Sequence, residues 1–176
     1  MSHDAEKDGV EQSPEVVVFS NHLLKSQAFS DLFARGMSLV EEAATYLDTR
    51  GRAQSKLLDR EASLVYATES MRLTTRLMQL ASWLLLQRAV SEGEMTSEQA
   101  EEEHDKIKIK KQDKTSRGDN WDFLPEELRD MIQRSLRLQE QVIHFDEALT
   151  ADLEKQKQED NPLSGHLNLI REAFQK

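Results

Sequence analysis

Glu101 and His104 are the residues whose types and spacing come nearest to an active site. A Glu-x-x-His unit puts a carboxylate and an imidazole on one helical face. Helical bundles that hold two iron ions use two such units and two further glutamates. The second unit is missing here, because His144 has Gln141 three residues before it. The first unit therefore reads as part of a charged, solvated helix. His144 and Glu140, four apart, read as a surface hydrogen bond rather than an acid–base pair. Ser70, Thr74 and Ser82 carry hydroxyls, but no histidine stands near them in sequence to take the proton of a nucleophile. The six glycines are scattered singly, so no loop is built to cradle phosphate. The absence of cysteine excludes disulfides and thiolate metal sites and fits a reducing cytoplasm. The expectation is a protein with no catalytic residue, no metal and no cofactor, and so not an enzyme.

Charge narrows the partners. The chain carries 33 acidic and 23 basic side chains, a net charge of −10. General nucleic-acid binding neutralises phosphates with Lys and Arg, so this balance argues against it. The basic run KIKIKK, Lys106 to Lys111, directly follows EEEHD, which largely cancels its field. It reads as a solvated, self-compensating segment. The first fifteen residues are acidic and lack the basic and apolar regions of a signal peptide.

The remaining candidate chemistry is binding. Leu77 to Leu86 contains only Gln79 and Ser82 as polar residues. A membrane span needs about 20 predominantly apolar residues, and Arg72, Arg76, Gln87 and Arg88 flank this run. Protein must therefore cover it. At 100° per residue, Leu73, Leu77, Leu80, Leu84, Ala67, Thr74, Ala81, Met71, Met78 and Leu85 fill an arc of roughly 180°. That arc is expected to face the core and touch at least two other helices. Trp83 falls opposite, with Arg72, Arg76, Gln79 and Gln87, flanked by Leu86 and Val90. Trp and Arg are enriched in binding hot spots. The second face is therefore expected to be a homodimer or partner interface made by Arg72, Arg76, Gln79, Trp83, Leu86 and Val90. The competing reading packs Trp83 under another segment of the same chain.

The elements that must position these residues are helices. Charged residues are 32% of the chain and prolines number three, which favours long helices. Phe29, Leu32, Phe33, Met37, Val40, Ala44 and Leu47 mark one face of a first long helix. Ser26 is placed to cap it and Gly51 to stop it, while Gly36 on the stripe permits a close crossing. Gly93 ends the second. Thr96 and Gln99 form a capping box for a short charged helix from Ser97 to about Lys108. Pro125, Glu126 and Glu127 suit the start of the last long helix, with Phe123 and Leu128 as a hydrophobic staple.

The spacing predicts an all-α antiparallel bundle of three principal helices near 27–49, 60–92 and 124–156. Residues 1–25 are expected to be a disordered tail, 26–157 the bundle, and 158–176 a second tail. In the first tail Val16 to Phe19 form a short apolar run, either an extended strap or without a role. In the second, Asn161-Pro162 breaks the preceding helix. Beyond it, Leu163, Leu167, Ile170 and Phe174 share one helical face. They are expected to anchor the tail in a partner's groove, with docking on its own bundle as the alternative.

Two segments, FARGMSLVEEAATYLDTRGRAQSKLL and YATESMRLTTRLMQLASWLLLQRAVSEGEM, resemble the RcdA family, alphaproteobacterial regulators of CtrA degradation. The resemblance covers roughly residues 28 to 96. It implies a dimeric helical-bundle adaptor in the cytoplasm that helps deliver cell-cycle substrates, CtrA among them, to the ClpXP protease. CpdR and PopA are the implied co-workers, and recruitment to a cell pole is a further expectation. The resemblance carries no catalytic residues. The alternative is a structural or polar-scaffold helical dimer with no part in proteolysis.

Overall fold

A computed structural model describes residues 19–107 and 121–159 of the 176. They form six α-helices and one 3-10 turn, with no strand among the described residues. In chain order the helices are α1 (Phe19–Leu24), α2 (Gln27–Asp48), α3 (Arg50–Ser55), α4 (Arg60–Ser91), α5 (Ser97–His104) and α6 (Glu126–Glu159). The fold is an all-α bundle, and α2, α4 and α6 are the three principal helices.

Local chemistry sets most of the ends. Ser26 caps α2 by accepting a hydrogen bond from the Phe29 amide, and Asp59 caps α4 by accepting from Ala62. Thr96 and Gln99 close the capping box of α5 in both directions. Gly93, with φ at 75°, follows the end of α4, where a side chain would be strained. The last helix begins one residue after Pro125. Ahead of it Leu124 is buried while Phe123 stays half exposed, so the expected staple residue is displaced by one position.

Two short helices were not legible from the periodicity. Phe19–Leu24 is helical, and Leu24 is buried in the core, so the ordered body begins before residue 26. Gly51 lies inside α3 rather than stopping α2. Its role is close approach: a Cβ there would stand 2.6 Å from the Tyr66 hydroxyl and 2.9 Å from the Tyr46 carbonyl oxygen. Gly36 does allow the tight crossing, since a Cβ there would fall onto Leu84 Cδ1.

The helices do not simply alternate in direction. Phe29 meets Phe145 and Glu42 meets Arg134, so α2 and α6 are antiparallel. Phe29 also meets Trp83, while Tyr46 meets Tyr66, so α2 and α4 are antiparallel too. Arg76 meets Ser135 and Trp83 meets Asp146, so α4 and α6 run parallel. The long connection from Glu92 to Pro125 makes this possible, as crossover connections do in other bundles. Between the three helices lies one apolar core that includes Leu32, Leu39, Leu73, Leu80, Leu128 and Val142.

Candidate protein-binding surface

The inner face of α4 is the one that carries Trp83. Its indole is fully buried, with an edge-on contact to Phe29 at 6.4 Å between ring centres. Its Nε1–H donates to Asp146 Oδ1 at 2.8 Å, and His104 Nε2 lies 2.6 Å from the same oxygen. The carboxylate of α6 thus gives the buried indole a partner and holds the end of α5. Arg76 is 1% exposed and donates from Nη1 to Ser135 Oγ at 2.8 Å. Burial pushes its pKa down, against the opposing pull of nearby Glu69. Glu69 is itself buried and bridges to the exposed Arg72 at 2.6 Å.

The expected interface therefore divides. Trp83, Arg76 and Leu86 are buried within the chain, Gln79 and Val90 are half buried, and Arg72 alone is exposed. These residues pack α4 against its own bundle, as the competing reading of Trp83 had it. The physical reason is the distribution of apolar side chains around the whole circumference of α4. Periodicity then leaves the rotation of the helix undetermined, and a buried arginine with hydrogen-bond partners is tolerated on the inner side.

The arc expected in the core also divides: Leu73, Leu77, Leu80 and Leu84 are buried as expected, but Ala67, Met71, Thr74, Met78 and Leu85 face outward. Leu64, Met71, Met78 and Leu85 are 71%, 69%, 66% and 51% exposed. They recur every seventh residue and lie about 140–200° around the helix from the buried Leu80. Ala67, Thr68, Thr74, Thr75 and Ser82 fill the rest of that side, all exposed, and no charged residue interrupts it. The stripe runs roughly 30 Å along the helix. A seven-residue repeat of large apolar side chains among small uncharged ones is the surface of a helix that packs on another helix. The signal was present in the sequence as the repeat Leu64, Met71, Met78, Leu85; the richer Leu77–Leu86 run masked it.

The metal-like pattern has another use. His104 is engaged with Asp146, and its neighbour Glu101 is also in contact rather than free. Among the described residues no group of three His, Cys, Asp or Glu side chains is placed to hold a metal ion. No helix of the described residues is long and apolar enough to cross a membrane. His144 lies 3.7 Å from Glu147 on the exposed surface, not against Glu140. Leu163, Leu167, Ile170 and Phe174 lie outside the described residues, as do Lys108 to Lys111 of the basic run.

The described residues thus form a helical bundle whose outer surface carries four large exposed apolar side chains among small uncharged ones. The chain belongs to the family described as protein of unknown function DUF1465, whose model matches residues 20–174. It is similar to the crystal structure of RcdA from Caulobacter crescentus CB15, with 48% sequence identity and a TM-score of 0.58. That likeness covers 73% of this chain and 96% of the other. A comparison with curated proteins gave no match.

Proposed function

We propose that this protein is a non-catalytic adaptor of regulated proteolysis that acts as a homodimer and helps present cell-cycle regulators such as CtrA to ClpXP. The observation that carries the reading is the likeness to RcdA, which spans nearly all of that chain at 48% identity. The outward stripe of α4 supports the dimer. Two copies placing Leu64, Met71, Met78 and Leu85 against each other bury the same patch from both sides, as a two-fold interface does. By the same resemblance the further partners are CpdR and PopA. The place of action is then the cytoplasm, with recruitment to a cell pole.

The tail beyond the described residues is the proposed second contact, with Leu163, Leu167, Ile170 and Phe174 as anchors in a partner's groove. Co-precipitation of the full chain with ClpX, CpdR, PopA and purified CtrA tests the reading. Capture of ClpX or of cargo, lost on truncation after Asp160 while the bundle stays folded, is the expected result. Failure to capture any of them, with the dimer intact, favours the second reading of a structural or polar-scaffold dimer.

A further inference from the structure

An open cleft of about 580 Å³ lies between α2 and α6. These two helices alone line it, so it is separate from the outward stripe of α4. Leu39 and Leu138 give it an apolar floor, and Arg35, Arg134 and Arg137 stand at its sides. Three guanidinium groups around one cleft are unexpected in a chain of net charge −10.

The three arginines are not equivalent. Arg134 is neutralised within the bundle, bound to Glu42 through two nitrogens and to Asp130 at 2.7 Å. Arg35 and Arg137 have no carboxylate within 4.0 Å among the described residues. Arg35 is tethered by its Nε, which donates to the Asp31 carbonyl oxygen at 3.2 Å. That leaves its two terminal nitrogens for a bidentate carboxylate contact. The two unneutralised groups come from different helices, one on each bank of the floor.

We propose that this cleft binds an acidic peptide segment of a partner protein, with an aliphatic side chain on the Leu39–Leu138 floor and flanking carboxylates on Arg35 and Arg137. Charge complementarity chooses the occupant. A second copy docked through its outward α4 stripe does not supply it, because that stripe is uncharged. Nucleic acid is the poorer fit, since the cleft is lined by the aliphatic Leu39 and Leu138 and by no aromatic side chain on which a base could stack. The open cleft is lined by about one and a half turns of α2 and about two turns of α6, room for a short peptide segment, with Ser38 and Gln141 available to its backbone. The inference does not depend on the proteolysis reading, because direct peptide binding is its measure.

The test is fluorescence anisotropy of a labelled synthetic peptide, aspartates and glutamates around a central leucine pair, titrated with the full-length protein. Saturable binding that weakens as salt is added is expected. The Arg35→Glu/Arg137→Glu double variant is expected to bind about tenfold more weakly or worse, with unchanged helicity and oligomeric state. A peptide with serine in place of leucine is expected to bind more weakly than its parent. Equal binding by the double variant overturns the site, and equal binding of the serine peptide reduces it to non-specific charge attraction. Tighter binding of a single-stranded oligonucleotide of matched charge also overturns it. So does binding that appears only when the chain's own Asp4, Glu6, Asp8 and Glu11 are changed to amides, because the occupant is then the chain itself.

Discussion

At the residue scale, Trp83 and Arg76 carry the most information. Both sit on the inner side of α4, and each finds its polar partner on α6: Asp146 for the indole and Ser135 for the guanidinium. Trp83→Ala is therefore expected to cost stability, about 3–5 kcal/mol from the lost burial and the cavity left behind together, visible as a lower denaturation midpoint. A folded but dissociated protein is the wrong outcome for this position. A second residue-scale prediction concerns acid. The hydrogen bond from Arg134 holds the Glu42 carboxyl below its ordinary value of 4.5, with the charges of Arg134 and Arg50 adding to it and burial opposing. A lowered folded-state value means that the contribution is fully present above the unfolded value. It is lost as pH falls from near 4.5 through the depressed value. The pair is largely solvated, so its worth is about 0–1 kcal/mol. Glu42→Gln is expected to be slightly less stable than the parent near neutral pH. In urea melts the difference should close as the pH drops below that window; a gap that widens in acid contradicts the assignment.

At the element scale, the span of α2 was legible, but the rotation of α2 past its first turns and that of α4 were not. On α2 the polar side of Asp31, Arg35, Ser38 and Glu42 sets the orientation to within about one position: Phe29 and Leu32 are buried as expected, but the core face continues through Gly36, Leu39, Ala43 and Tyr46, while Phe33, Met37, Val40 and Leu47 are half buried and Ala44 is exposed. The Ser26 and Thr96 caps follow from side-chain chemistry alone. Around α4 the pattern gives no such contrast. Leu73, Leu77 and Leu80 face inward while Met71, Met78 and Leu85 face outward, and hydropathy ranks them alike. What distinguishes the sides is the partner, and Ser135 and Asp146 lie 59 and 63 residues away in sequence. Gly51 was misread for a similar reason: its function is set by Tyr46 and Tyr66, not by its own turn. Gly51→Ala is expected to destabilise the protein by about 1–3 kcal/mol, since one of the colliding atoms is backbone. That sign is opposite to the gain an alanine gives in an exposed helix, and thermal unfolding distinguishes the two.

At the scale of the whole molecule, the two proposed binding surfaces lie apart from the faces that hold the bundle together. The inner faces of α2, α4 and α6 hold it together, with α4 and α6 parallel because a long connection returns the chain. That direction was not readable, since hydrophobic periodicity says nothing about which way a neighbouring helix runs. The outer side of α4 is left uncharged and apolar, and the α2–α6 cleft is left cationic. These two surfaces suit an adaptor, which must associate and bind without turning anything over. The outward α4 stripe is proposed to join two copies. Multi-angle light scattering of the parent and of Met71→Glu/Met78→Glu tests it most directly. A dimeric parent and a monomeric variant with the same helical circular dichroism are expected. A monomeric parent, or a variant that remains dimeric, contradicts it.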